Sequence, residues 1–98
     1  MMPPERAAKT VRLRIEGEVQ RVWFRAWTVE TVEELGLDGW VRNRADGSVE
    51  VLVSGPAEGV EKMIKACWQG PSSARVTAVR TTGAKPPGEK GFHQRPTV

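Results

Sequence analysis

Thiols and imidazoles are nearly missing from this chain: Cys67 is the single cysteine and His93 the single histidine among 98 residues. One cysteine cannot close an internal disulfide, and a paired-thiol metal site is excluded with it. A histidine with no candidate partner reads as a surface strand residue rather than a base or a ligand. Cys67 reads as packing on a helix face rather than as a nucleophile. Long apolar runs are missing too. Nothing approaches the length of a membrane span, and Met1 to Lys9 holds no apolar stretch of signal-peptide length. These absences predict a cytoplasmic protein in a reducing compartment, with no membrane partner.

What is present is ordinary globular material, with 39% apolar and 28% charged residues. A chain of 98 residues fits one domain around one core. Residues 1–9 are polar, proline-containing and aperiodic, which predicts a flexible arm ahead of a single domain over residues 10–98. The formal net charge is +3 and the pI about 9.5. That balance suits an anionic substrate or partner, and it also serves plain solubility.

Periodicity divides the chain. Val11, Leu13 and Ile15 alternate with Arg12, Arg14 and Glu16, the pattern of a half-buried strand ended by Gly17. Phe24, Trp27, Thr28, Thr31, Val32 and Leu35 then fall on one helix face, and Gly36 supplies a stop. Gly39 to Asn43 reads as a strand, Asp46-Gly47 as a tight turn, and Val49, Val51 and Val53 as the buried face of the returning strand. After Ser54-Gly55-Pro56, a second helix carries Val60, Met63, Ile64, Cys67 and Trp68 and stops at Gly70-Pro71. Trp27 and Trp68 are expected in the core, while Trp23 and Trp40 could each flank a site. Val76 to Thr82 reads as a strand, Gly83 to Gly91 as a loop, and Phe92 to Val98 as a short closing strand that Pro96 confines to an edge or ends.

The order strand, helix, strand, strand, helix, strand cannot make a doubly wound sheet. It predicts an α+β fold of the ferredoxin-like split βαβ type (βαββαβ, with a short fifth strand). Both helices lie on one face of a mainly antiparallel sheet. The first strand and the strand after the Asp46-Gly47 turn take the centre, and Asn43 comes to lie beside the loop that follows the first strand.

That loop carries the chemistry. It runs Gly17-Glu18-Val19-Gln20-Arg21-Val22-Trp23-Phe24-Arg25 between strand and helix. Successive backbone amides in such a turn can converge into an anion-binding nest, and the following helix start adds free amides. Arg25 brings a planar guanidinium able to hold two phosphate oxygens. The plainer reading of Arg25 is a surface arginine paired with Glu30 or Glu33, and of Asn43 a turn asparagine in left-handed geometry. Arg12, Arg14, Arg42 and Arg44 form a basic set that reads as a solvated sheet face.

Together with Gly39-Trp40-Val41-Arg42-Asn43 and the following Asp46-Gly47-Ser48, the loop resembles the acylphosphatase signature: Gly-x-Val-Gln-x-Val-x-Phe-Arg, then Gly-Trp-Val-Arg-Asn, then Asp-Gly-Ser. The likeness runs from Val11 to Val98. It implies hydrolysis of an acyl phosphate, a carboxylate–phosphate mixed anhydride, without metal or other cofactor. Arg25 and the amides of Glu18, Val19, Gln20, Arg21, Val22, Trp23 and Phe24 would hold the phosphate, and Asn43 would orient the attacking water. The carboxylate is a good leaving group, consistent with a motif lacking His, Cys and paired carboxylates. The chain departs from the family pattern at Arg21, where glycine is usual, which raises the alternative of a catalytically impaired anion-binding module. Gln94 replaces a more usual isoleucine, which bears on the last strand rather than the site.

Two other function classes are disfavoured. RNA-recognition domains of similar architecture stack bases on aromatics of the central strands, and Val49-Glu50-Val51-Leu52-Val53 offers none. A copper carrier needs two thiols in the first loop. The expectation is a monomer acting on a small molecule, with no nucleic acid partner.

Overall fold

The computed structural model describes residues 8–98. Seven elements follow in order: β1 (Ala8–Glu18), α1 (Phe24–Leu35), β2 (Asp38–Asn43), β3 (Val49–Pro56), α2 (Ala57–Gln69), β4 (Arg75–Gly83) and β5 (Phe92–Gln94). The strands form one sheet in the order β4-β1-β3-β2-β5. All neighbours are antiparallel except β2 and β5, which run parallel. This is the α+β, ferredoxin-like arrangement that the periodicity predicts, with β1 and β3 inside the sheet. Ala8 and Lys9, the last residues of the expected arm, belong to β1, where they pair with Pro56 and Gly55. The rest of that arm lies outside the described residues.

The core forms where the apolar faces meet. Val11, Leu13 and Ile15 of β1 and Val49, Val51 and Val53 of β3 are buried against Phe24 and Val32 of α1 and against Val60, Met63 and Cys67 of α2. Burial pushes the Cys67 thiol up to about 12, so it is an inert core group. Phe24 and Trp27 meet edge to face, with ring centroids 5.2 Å apart. α1 ends where Gly36 adopts φ 69°. The Gly36 N–H donates to Glu33 O and the Leu37 N–H to Val32 O, the paired bonds of a Schellman cap.

Two expectations about burial are corrected. Trp68 is 52% exposed rather than core, because it stands one residue beyond Cys67, about 100° further round the helix. β3 is buried on both faces, not one: Glu50, Leu52 and Ser54 are 5%, 7% and 8% exposed. The alternation in sequence is real, but an inner strand is covered on its helix-free face by the long side chains of its neighbours. Arg42 and Arg44 close over Glu50, and Ser54 Oγ shares a 2.7 Å hydrogen bond with Thr10 Oγ1.

The closing strand is three residues long and lies at the sheet edge, as Pro96 requires. Beyond it the chain still follows β2: Arg95 N donates to Val41 O, and Val98 N donates to Asn43 O. Ala45 N donates to Val98 O, so Val98 clasps the β2–β3 turn.

Candidate active site

The β1–α1 loop leaves the sheet at an irregularity. Between Glu16 and Gly17 the β1–β4 register shifts, and Gly17 takes φ 126°. A Cβ there would lie 2.0 Å from Arg75 O, so only glycine lets β1 and β4 approach. Past this point Val19 is buried and anchors the loop in the core.

The backbone of the next four residues alternates in hand. Arg21 has φ 63° and Trp23 φ 65°, whereas Gln20 and Val22 stay at negative φ. Such alternation turns consecutive N–H groups toward one concave side, the geometry of an anion nest. It is also costly for residues with a Cβ, about 1 kcal/mol each, and such strain gathers at functional sites. The helix begins directly afterwards. The first backbone bond of α1 runs from Trp27 N to Trp23 O at 2.9 Å. The first-turn N–H groups of Phe24, Arg25 and Ala26 therefore have no partner from the helix itself.

A cavity of about 350 Å³ opens beside this loop, lined by Val19, Arg21, Trp23, Phe24, Arg25, Ala26, Asn43 and Gln94. Arg25 and Asn43, brought in by different elements, thus open onto one space. Among the described residues Arg25 forms no salt bridge, to Glu30, Glu33 or any other acid. Asn43 has no positive φ; it is the last residue of β2, opposite Val49. Its Oδ1 is buried and accepts no hydrogen bond from the described residues. A buried amide oxygen without a partner costs about 1–3 kcal/mol.

Gln20 and Asp46 fix these parts relative to one another. Gln20 Nε2 donates to Arg44 O at 2.7 Å and to Ser48 O at 2.9 Å, tying the loop to the β2–β3 turn. Asp46 Oδ1 accepts from Ser48 N at 2.9 Å and Ser48 Oγ at 2.6 Å, closing that turn. These bonds hold the Asp46 carboxyl below its usual range, the Ser48 hydroxyl contributing most. Ser73 Oγ donates to Val22 O at 3.0 Å and supports the loop from the α2–β4 connection.

Of the residues expected in the phosphate loop, Val19, Arg21, Trp23 and Phe24 line the cavity. Glu18 ends β1, with its carboxylate 3.5 Å from Arg75 Nε, and the Gln20 side chain is the brace just described. Trp23 flanks the cavity with 79% of its surface exposed. Trp40 does not; it lies under the Arg42 and Arg95 guanidiniums, 4.5 and 5.4 Å from its ring centroid. Gln94 corrects an expectation. It is a lining residue and not only a strand residue, because β5 sets it opposite Val41, two residues before Asn43 on the same side of β2. Ala26 also lines the cavity without having been singled out; its place one residue into the helix after Arg25 was the available signal. No group of three or more His, Cys, Asp or Glu side chains placed to hold a metal occurs among the described residues. No described helix is long and apolar enough to cross a membrane.

The acylphosphatase family model matches residues 11–94. The chain belongs to the acylphosphatase family. An acylphosphatase of Rhodospirillum rubrum is 56% identical over 90 residues, spanning 92% of this chain and 99% of the relative. One of Rhizorhabdus wittichii is 53% identical, spanning 97% of this chain and 94% of its own length. The solved acylphosphatase of Coxiella burnetii superposes with a TM-score of 0.87 at 29% identity, covering 97% of this chain and all of that one. The family membership and the fold therefore agree with the resemblance carried by the two motifs.

Proposed function

We propose that this acylphosphatase hydrolyses its acyl phosphate with the phosphoryl group in the loop nest, Arg25 as its cation and Asn43 as the group that orients water. The observation that carries this reading is that Asn43, whose buried Oδ1 has no partner among the described residues, lines the same cavity as Arg25. A phosphoryl group accepts hydrogen bonds through three peripheral oxygens. The loop amides and the free first-turn N–H groups of α1 supply donors on one side, and the Arg25 guanidinium supplies two more.

Water donates one hydrogen to Asn43 Oδ1, which aims an oxygen lone pair at phosphorus. The new P–O bond forms as the bond from phosphorus to the acyl oxygen breaks. That electron pair leaves with the carboxylate, and both water protons end on orthophosphate. A carboxylate leaves without protonation, so a general acid has no part. Catalysis rests on position and on donors fixed around the charge at phosphorus. This reading needs a small-molecule acyl phosphate and no metal, nucleic acid or membrane. The residues give no reason for more than one copy of the chain.

Arg21 supports a second reading. Its positive φ is one that glycine holds without strain, so the loop of this chain carries a cost that a glycine loop avoids. Under that reading the chain keeps the cradle as an impaired, anion-binding module.

The test is hydrolysis of benzoyl phosphate in excess chelator by the parent, Arg25→Ala and Asn43→Ala, with folding checked by circular dichroism. The expected loss is about 10²-fold or more in each variant. A folded Asn43→Ala protein with parental kcat would remove Asn43 from the mechanism. An inactive parent that binds orthophosphate, and regains turnover as Arg21→Gly, would establish the second reading.

A further inference from the structure

The helix-free face of the sheet carries a row of arginines that the hydrolytic site does not use. Arg80 lies opposite Arg14 across β4 and β1, Arg14 opposite Glu50 across β1 and β3, and Glu50 opposite Arg42 across β3 and β2. Like charges directly opposite one another in an antiparallel pair are destabilising. Here Glu16 lies between Arg14 and Arg80, at 3.7 and 2.9 Å. Glu50 meets Arg42 at 2.7 Å, Arg44 at 3.0 Å and Arg12 at 3.7 Å. Asp46 contacts Arg14 and lies 3.9 Å from Arg44. Five guanidiniums thus share three carboxylates, and the face keeps a positive excess.

That excess surrounds a concavity. A groove of about 350 Å³ is lined by Arg12, Arg14, Arg44, Arg80, Thr82 and Glu50. Glu50 is its only acid, and both of its oxygens are already engaged, Oε1 by Arg42 and Arg44 and Oε2 by Arg12. Arg44 Nε is buried and donates to nothing among the described residues. Positive charge on this face therefore exceeds the negative charge that the protein itself sets against it.

We propose that this groove is a second anion site, separate from the Arg25 cavity, which binds a compact phosphate-bearing polyanion through a diphosphate group. Guanidiniums match phosphate oxygens in paired hydrogen bonds, and four around one groove suit two linked phosphates better than a single monoanion. No aromatic side chain lines the groove, so it lacks the stacking platform that a single-stranded nucleic acid would use. An inorganic diphosphate and a nucleoside diphosphate share the chemistry this groove reads, the phosphate pair.

The experiment is calorimetric titration of the Arg25→Ala protein with inorganic pyrophosphate at low ionic strength, a substitution that weakens the hydrolytic cavity as a competing site. One equivalent is expected to bind, weakening as salt is added. Adding Arg12→Ser and Arg80→Ser should reduce that affinity by at least about tenfold. The same two changes in the parent should leave acyl phosphate turnover unchanged. In the unaltered protein, pyrophosphate should move the backbone amide resonances of Arg12 and Thr82, a readout independent of any variant's folding. Nucleoside diphosphate binding tighter than pyrophosphate would assign the ligand to nucleotides, and equal binding would assign it to the phosphate pair alone. No binding to Arg25→Ala, unmoved Arg12 and Thr82 resonances, or tighter binding of an oligonucleotide than of either diphosphate would each overturn the proposal.

Discussion

Gln20 reaches across from the β1–α1 loop to the Arg44 carbonyl, 2.7 Å away, and so joins the loop that carries the nest to the turn that follows Asn43. The same amide group donates to Ser48 O, bracing both ends of the turn. Gln20→Leu keeps the side chain's bulk and removes both bonds. Stability should fall by about 1–3 kcal/mol. Because Asn43 and Arg25 would lose their common brace, kcat should fall by about tenfold to hundredfold. Thermal melts and steady-state kinetics check this together; an unchanged kcat with a lowered Tm would confine Gln20 to stability.

That brace marks the boundary of what the sequence makes legible. Strand and helix order follow from period-two and helical spacing, and the sheet order follows from them. Arg25 and Asn43 on one cavity are foreseeable because two long motifs stand in the right order. The alternating hand of the loop is not, because Arg21 and Trp23 hold positive φ without being glycine. Such a conformation is imposed by the anchors on either side, buried Val19 and the start of α1, rather than by local preference. The role of Gln94 was hidden for a similar reason. It depends on β5 running parallel beside β2, a pairing fixed by tertiary contacts rather than by the three residues of the strand.

Arg21→Gly tests the strain directly. Glycine holds φ near 63° without a Cβ penalty, though it gives the unfolded chain more freedom. The conformational gain should prevail, raising stability by about 0.5–1 kcal/mol and Tm by about 2–8 °C. Orthophosphate should remain a competitive inhibitor, because Arg25 and the first-turn amides are untouched. A lower Tm would mean that the Arg21 side chain makes contacts worth more than its backbone strain.

Gln94 lies on the cavity lining with Asn43, opposite Val41 in the β5–β2 register, and brings an amide to a lining that includes the apolar Val19 and Phe24. Gln94→Leu makes that lining more apolar. The ratio of kcat/KM for benzoyl phosphate over acetyl phosphate should rise by about three- to tenfold, through burial of the aromatic acyl group. Turnover of acetyl phosphate should stay within about twofold, since the cradle is unaltered. An unchanged ratio would place the acyl group away from β5.

Acid should unfold this protein through the helix-free face. Burial pushes the Glu50 carboxyl up, but the hydrogen bond and charge of Arg42, then those of Arg44, outweigh it and leave the group below its usual range. Glu16 is held low chiefly by its hydrogen bond from Arg80, and Asp46 chiefly by that from Ser48. A carboxylate depressed in the folded state binds fewer protons there than when unfolded, so stability rises with pH through that interval. The contribution is complete above the unfolded value of about 4 and is lost as pH falls through the lower, folded values. Tm should therefore be nearly level from pH 7 to about 5 and then drop steeply. Glu50→Gln should lower Tm at pH 7, because Arg12, Arg42 and Arg44 lose their shared counter-charge, yet make the drop in acid shallower. If Glu50→Gln kept the full acid dependence, the titrating groups that control stability would be Glu16 of β1 and Asp46 of the β2–β3 turn.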